Sequence, residues 1–206
     1  MTTNDRLLFY REQHKHRLNY MPWLYFSLKD KHKLWAEAWQ QEYQDYLQQI
    51  ETVHIGKNCF ISPLAHIFAE RGRDIYIGDH TFIAADCFLH GPLNIGNEVA
   101  INHHCILDGG RAGITLHDQV RIGAYSHLYA FNHGMARHKP IYQQNNTSQG
   151  IEIGRDVWLG SHVGVRDGVH IGDEAIIGMD SMVTKNVEKR AVMVGNPARF
   201  VRWRTD

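Results

Sequence analysis

Aliphatic side chains recur at every sixth position through most of this sequence, in four phased blocks. A second column of small or β-branched residues lies two positions earlier, and residues two apart on a strand point to the same side. A repeat of six is too short for a hairpin and matches no helical period. It therefore predicts coils of three hexads, stacked about 4.8 Å apart as a triangular prism, that is, an all-β parallel β-helix. The aliphatic positions are Ile55, Ile61, Ile67, Ile77, Ile83, Leu89, Ile95, Ile101, Leu107, Leu116, Ile122, Leu128, Ile153, Leu159, Val165, Ile171, Ile177 and Val183.

Breaks in the six-residue phase predict loops. The spacing is ten between Ile67 and Ile77, nine between Leu107 and Leu116, and twenty-five between Leu128 and Ile153. The last break is an external loop at 129–152 that carries Asn132-His133-Gly134. Long loops on a rigid scaffold are where functional residues concentrate.

The first fifty residues lack the hexads and read as helical. A helix capped by Asp30 is predicted to run to about Gln49, with an apolar stripe, and an earlier helix to cover Asp5 to Leu18. Because terminal coils need covering, these helices are expected to cap the prism. We therefore expect an α-helical cap at 1–51, the β-helix at 52–194 and a C-terminal tail at 195–206. The predicted stripe is Leu34, Ala38, Trp39, Tyr46, Leu47 and Ile50.

The net charge, the apolar stretches and the cysteines argue against several classes of function. The formal net charge is zero, which argues against nucleic-acid or polybasic membrane binding. The longest apolar stretch, Tyr20 to Leu28, is too short for membrane insertion, and the first residues do not resemble a signal peptide. Cys59, Cys87 and Cys105 fall in the small inward column, which predicts a packing role. Their odd number and the lack of C-x-x-C spacing suggest a reducing, cytoplasmic location.

The residues from Ile151 to Arg202 read IEIGRDVWLGSHVGVRDGVHIGDEAIIGMDSMVTKNVEKRAVMVGNPARFVR. The tryptophan after IGxxV, the TKxV segment and the closing GNPA together resemble the C-terminal half of hexapeptide-repeat O-acetyltransferases, which include galactoside, maltose and polysaccharide acetyltransferases. The resemblance covers about residues 53 to 204. It implies a left-handed β-helix, a homotrimer with active sites between adjacent prisms, acetyl-CoA as the donor substrate, and no metal.

The resemblance also implies roles for individual residues. His133 matches the catalytic histidine of the loop, and Trp158 matches the tryptophan that packs near it. Met179 replaces the usual alanine, and His104 replaces an asparagine. The glutamate that often assists in the loop has no clear counterpart. The acceptor contacts correspond to Asn102, His104 and Asp108, and the CoA contacts correspond to Ser161, Met179, Thr184, Lys185 and Arg199.

Acyl transfer to a hydroxyl needs a base and oxyanion donors. A neutral imidazole such as that of His133 suits the removal of the hydroxyl proton. Backbone N–H groups of Gly160 and Ser161 are candidate donors to the developing oxyanion. Since no cysteine or serine lies in a recognisable nucleophile motif, we expect direct transfer to a sugar or polysaccharide-type acceptor in a ternary complex.

Three alternatives remain open. The first keeps acetyl-CoA but transfers the acetyl group to an amino sugar. The second is a γ-class carbonic anhydrase, a trimeric β-helix that binds zinc through histidines between subunits. The third is a non-catalytic β-helix scaffold. The histidines relevant to the zinc alternative are His103, His104, His127, His133 and His138.

Overall fold

The computed structural model describes residues 3–205, with side chains from Asp5 onward. Two α-helices, Thr3–Tyr20 (α1) and Asp30–Ile50 (α2), precede the strands, and short 3-10 helices lie at Pro22–Ser27 and Ile141–Gln143. The strands are β1 Val53–Ile55, β2 Phe60–Ile61, β3 His66–Phe68, β4 Ile75–Ile77, β5 Phe82–Ile83, β6 Phe88–His90, β7 Leu93–Ile95, β8 Ala100–Ile101, β9 Ile106–Asp108, β10 Ile114–Leu116, β11 Arg121–Ile122, β12 His127–Tyr129, β13 Ile151–Ile153, β14 Trp158–Leu159, β15 Gly164–Arg166, β16 His170–Ile171, β17 Ile176–Ile177, β18 Met182–Val183, β19 Ala191–Val194 and β20 Arg199–Trp203.

The strands form three sheets, one for each side of a triangular solenoid. Sheet A contains β1, β4, β7, β10, β13 and β16; sheet B contains β2, β5, β8, β11, β14, β17, β19 and β20; sheet C contains β3, β6, β9, β12, β15 and β18. Each strand pairs in parallel with the strand three places later along most of the chain, as in the pairing of Leu107 with Leu128. The parallel β-helix predicted from the hexads is confirmed.

Both inward columns fill the centre of the solenoid. The aliphatic column is almost fully buried; Leu107, Ile122 and Leu159 expose none of their surface. All three cysteines are buried and unpaired, as the pattern predicts. Burial raises the pKa of the Cys59 thiol, which keeps it neutral and unreactive.

The three corners of the solenoid differ in backbone geometry. The A–B corner (residues 56–59, 78–81, 96–99, 117–120, 154–157 and 172–175) and the B–C corner (62–65, 84–87, 102–105, 123–126, 160–163 and 178–181) consist of four-residue turns. Apart from 62–65, each of these turns contains one non-glycine residue with φ near +60°. Such residues cost strain that the flanking ladders must offset. The C–A corner (69–74, 91–92, 109–113, 130–150, 167–169 and 184–186) instead holds loops of variable length.

The helix α2 covers the first coil through polar contacts that the apolar pattern did not predict. Leu34, Tyr46 and Ile50 of the predicted stripe are exposed, whereas Gln40 is buried with 1% exposure. Its amide accepts a hydrogen bond from Ile61 N–H (2.8 Å) and donates to Ile61 O (3.1 Å). The predicted face is right for Leu47, which is buried, and for Trp39, which packs against the core. It is wrong in omitting Gln40, which is buried because the open edge of sheet B needs a hydrogen-bonding partner there.

The start of α2 also differs from the prediction. Lys29 occupies the N-cap position without a side-chain cap, and Asp30 is the first residue of the helix. Asp30 therefore contributes as an acidic residue near the positive end of the helix dipole, while its carboxylate pairs with Lys33 at 3.0 Å.

Replacing Gln40 by alanine is expected to destabilise the fold by about 1–3 kcal/mol, because a buried N–H and a buried C=O both lose their partner. Urea denaturation measures the loss. Gln41→Ala is the control, since Gln41 is exposed on the same helix and its side chain bonds to Asp45, which is also exposed. Equal stability of the two variants would contradict this account of the cap.

The C-terminal segment, expected as a tail, folds back into sheet B. Strand β20 pairs antiparallel with β19, and all five of its residues are exposed. No hexad marks this strand, so the repeat could not predict it. In the part of the chain from residue 3 to residue 205, no helix is both long enough and apolar enough to cross a bilayer.

Candidate functional site

All three breaks in the hexad phase fall at the same corner of the solenoid. The bulge 69–74, the turn 109–113 and the loop 130–150 each follow a strand of sheet C and precede a strand of sheet A. Parallel stacking therefore places these segments above one another. The C–A corner becomes the irregular side of an otherwise regular rod.

The long loop is anchored at both ends by one buried carboxylate. Asp167, 7% exposed, accepts hydrogen bonds through Oδ1 from Gln149 N–H (2.8 Å) and Gly150 N–H (2.9 Å). Its Oδ2 accepts from Asn132 Nδ2 at 3.2 Å. Asn132 also forms an isolated antiparallel bridge with Thr147. The residue directly before His133 is thus held by two independent contacts.

The body of the loop has its own braces. The Gln144 amide donates to Ala136 O (2.9 Å) and Lys139 O (2.8 Å), and accepts from Ala136 N–H (2.7 Å). Ser148 Oγ accepts from the N–H groups of Arg111 and Ala112, which ties the loop to the neighbouring turn. Gln144 therefore supports the backbone of the loop.

His133 lies exposed on this braced loop. Its ring centroid is 6.2 Å from that of Phe131, edge to face. Within the described residues its imidazole has no hydrogen-bond partner, so both ring nitrogens are free for a substrate or a second chain. The loop's hydrogen bonds to the rest of the chain stay at the C–A corner.

A cavity of about 480 Å³ opens beneath the loop at the same corner. Its size falls within the range of small-molecule sites. It combines an aromatic ring, two guanidinium groups, a carboxylate, an imidazole, an amide and a hydroxyl. The lining residues are Gly72, Arg73, His90, Asp108, Gly110, Arg111, Phe131, Asn146 and Ser148.

His90 lies at the centre of a charged cluster in this cavity. Its Nδ1 is 3.4 Å from Asp108 Oδ1 and 3.4 Å from an Arg73 guanidinium nitrogen, and its Nε2 is 3.6 Å from Glu70 Oε2. Arg73 also pairs with Glu70 at 3.4 Å. Of this cluster only Asp108 was predicted as a site residue, although the breaks after Ile67 and Leu107 fall in the same phase of the repeat and indicate a shared corner.

The three predicted acceptor residues are not brought together within one chain. Asp108 lines the cavity at the C–A corner. Asn102 and His104 lie at the B–C corner, one full side of the prism away. The Asn102 amide donates to Ile122 O at 2.8 Å, and the His104 ring stacks on Tyr125 with centroids 4.7 Å apart. Only Asp108 shares a corner with the loop of His133.

The predicted oxyanion residues lie near the B–C corner. Trp158 is 54% exposed on sheet B, and Gly160 and Ser161 follow its strand. Gly160 N–H donates to Ile177 O at 2.8 Å in the inter-coil ladder, so it is not available to an oxyanion, contrary to the expectation. Ser161 N–H has no acceptor among the described residues and remains the candidate donor.

The predicted CoA residues fall into separate groups. Ser161 and Met179 are one coil apart at the B–C corner, where an added Gly160 Cβ would lie 2.7 Å from Met179 N. Thr184 and Lys185 lie at the C–A corner, and Arg199 begins β20. The five predicted CoA-binding residues therefore do not lie together within one chain. Across residues 3–205, no three histidine, cysteine or carboxylate side chains converge as metal ligands.

The family model for the bacterial transferase hexapeptide, six repeats long, matches residues 150–185. This segment of the chain is therefore similar to the hexapeptide repeat of bacterial transferases. The matched residues form strands β13 to β18, which are two complete coils of the solenoid. This match confirms the resemblance to hexapeptide-repeat transferases that the segment from Ile151 to Arg202 indicated.

Curated relatives of this hexapeptide-repeat protein are acetyltransferases. The galactoside O-acetyltransferase of Escherichia coli is 28% identical over 150 residues, which cover 72% of this chain and 62% of that protein. Relatives from Staphylococcus aureus are 36% identical over 114 residues, 53% of this chain and 54% of theirs. The chain thus spans between half and two thirds of the length of these relatives.

Solved structures share the fold. A variant of the N-acyltransferase AntD from Bacillus cereus, in complex with dTDP-4-amino-4,6-dideoxyglucose and coenzyme A, has a TM-score of 0.70 at 28% identity. The alignment covers 79% of this hexapeptide-repeat protein and 90% of AntD. A hexapeptide-repeat acetyltransferase from Vibrio cholerae covers all of this chain, with a TM-score of 0.59 at 22% identity, and shows the fold alone.

Proposed function

We propose that this protein is an acetyl-CoA-dependent O-acyltransferase that acetylates a hydroxyl of a sugar or polysaccharide-type acceptor. The observation that carries the proposal is the braced loop beside a sugar-sized cavity, which presents a His133 imidazole with no hydrogen-bond partner among residues 3–205. Relatives with acetyltransferase names and a structural neighbour bound to coenzyme A support the donor.

The chemistry assigns His133 as the general base. Its neutral imidazole takes the proton of the acceptor hydroxyl as that oxygen attacks the thioester carbonyl carbon. The resulting oxyanion is stabilised by Ser161 N–H. When the intermediate collapses, the carbon–sulfur bond breaks, and the imidazolium returns its proton to the departing thiolate of CoA.

We propose that the site is shared between copies of a homotrimer. The loop lies at the C–A corner, whereas Trp158 and Ser161 lie on sheet B and at the corner that follows it. These groups are separated by the width of sheet C, roughly 15 Å for five residues of extended chain. A neighbouring prism can bring its sheet B against the loop and shield the reacting groups from water.

A thiol-release assay with acetyl-CoA tests the proposal. The acceptors are neutral sugars, sugar phosphates, nucleotide sugars and the matched amino sugars. The proposal expects thiol release with at least one hydroxyl acceptor, and mass spectrometry should locate the new acetyl group on oxygen. Absence of acceptor-dependent thiol release across the panel would contradict it.

Acetylation of an amino sugar is the second candidate, favoured by the likeness to AntD. An amine attacks as the neutral base and also needs to lose a proton, so His133 would keep its role. The matched amino sugars in the same assay separate the two: an acetylated nitrogen would replace the proposed acceptor but retain the donor and the base.

A further inference from the structure

The charged groups around the cavity at the C–A corner differ in how fully the chain itself pairs them. Glu70 is paired with Arg73 at 3.4 Å, and two nitrogens of the same guanidinium donate to Gly91 O. Arg73 is therefore held in place within the chain, where it forms part of the cavity wall and has its charge paired with Glu70.

The second carboxylate is also engaged. Asp108 Oδ1 accepts a hydrogen bond from Gly110 N–H at 3.0 Å and lies 3.4 Å from His90 Nδ1. Asp108 is thus oriented by its own turn and by the imidazole. Each acidic group of the cavity has a local partner.

Arg111 differs from these groups. Its side chain forms no hydrogen bond or ion pair with any residue in the described range, and it lies exposed at the cavity rim. Its backbone N–H is held by Ser148 Oγ at 3.0 Å, so the position of the residue is fixed while its guanidinium is unsatisfied. Arg111 is therefore the guanidinium of the cavity that has no partner among the described residues.

We infer that this cavity binds a sugar that carries an anionic group, a carboxylate or a phosphate, with Arg111 as the specificity-determining contact. A guanidinium binds both groups through paired N–H donors. The Phe131 ring offers an apolar face for the sugar, and Asn146 and Ser148 offer hydrogen bonds to hydroxyls. The inference rests on the proposed function, since it names the acceptor class for that reaction.

Binding is tested on the full chain by isothermal titration calorimetry, without acetyl-CoA. The ligands are galacturonate, galactose 6-phosphate and galactose, which separate a carboxylate source, a phosphate source and no anion. We expect at least one anionic sugar to bind about tenfold more tightly than galactose, since hydrogen bonds between charged groups are roughly twice as strong as neutral ones. Arg111→Gln should remove that advantage, and Arg111→Lys should keep part of it.

Arg71→Gln is the matched control, because Arg71 is exposed in the adjacent bulge and does not line the cavity. It removes the same charge at the same corner and should change the affinity less than about twofold. Equal losses in both variants, or equal affinity for galactose and the anionic sugars, would overturn the inference. Circular dichroism confirms that each variant is folded before the comparison.

The two proposals fail separately. Thiol release with neutral sugars only, together with equal binding of all three ligands, would overturn the anionic acceptor and keep the acyltransferase. Arg111-dependent binding of an anionic sugar without any thiol release would keep the cavity and overturn the reaction.

Discussion

His133→Ala is expected to lower kcat by about 10²–10⁴-fold, because the acceptor hydroxyl loses its general base. The KM for acetyl-CoA and the melting temperature should stay close to those of the unchanged protein, since the imidazole is exposed and makes no hydrogen bond within the described residues. Steady-state thiol release at saturating acetyl-CoA measures the change.

The control for this prediction lies in the same loop. His138 is also exposed, and it does not line the cavity described above. His138→Ala should therefore retain nearly full activity. A His133→Ala variant with unchanged kcat would remove the proposed base, whereas a large loss in both variants would indicate that the loop as a whole is disturbed.

Asp167→Ala is expected to lower kcat by about 10–100-fold through loss of loop position, since small misplacements of a catalytic group are costly. The change removes the acceptor for Gln149 N–H, Gly150 N–H and the Asn132 amide together. The freed loop should also become sensitive to trypsin after Arg137, because Lys139 is protected by the following proline.

Asp173→Ala is the matched control for the loop anchor. Asp173 is also a corner aspartate that accepts a backbone hydrogen bond, from Arg155 N–H at 2.8 Å, but at the A–B corner. This variant should leave both kcat and the trypsin pattern unchanged. Normal activity in Asp167→Ala, despite faster cleavage after Arg137, would show that the anchor does not position the base.

The hexads predicted the solenoid well because every hexad must meet the same local requirement. An aliphatic residue such as Ile122 must point inward, and its neighbours six residues away must do the same for three sides to close. The burial of Cys87 and Cys105 followed from the same rule. Where the chain obeys the repeat, the sequence alone defines both the sheets and the core.

The same rule fails where the solenoid ends. The buried face of α2 includes Gln40. This residue stabilises the cap through two hydrogen bonds to the Ile61 backbone and not through the hydrophobic effect. An apolar stripe cannot indicate such a position. Strand β20 carries no hexad, and its partner β19 ends the regular ladder.

The candidate site was predictable in part. The loop and His133 stood out through the largest phase break and the family resemblance. The cavity could not be predicted in the same way. Its residues Arg73, His90 and Asp108 point outward from three successive coils, and they come together because the breaks in the repeat all fall at one corner. For Gly160 the prediction from the sequence was wrong. Its N–H was expected to donate to an oxyanion, but in the structure it donates to Ile177 O of the next coil.

The shared site is the central claim, and a mixed oligomer tests it most directly. Two inactive variants are co-expressed, His133→Ala and Ser161→Pro, where proline removes the proposed oxyanion N–H. Ser161→Ala, which keeps that N–H, is the control for the second variant. If each site takes its loop from one copy and its sheet B from the next, about one quarter of the interfaces in randomly mixed trimers receive both intact groups.

We predict that the mixture recovers about one quarter of the thiol-release activity of the unchanged protein, while each variant alone stays at least about a hundredfold below it. Mass measurement in solution verifies that the mixed species is a trimer. A mixed trimer no more active than its separate variants would contradict the claim that neighbouring copies complete the site.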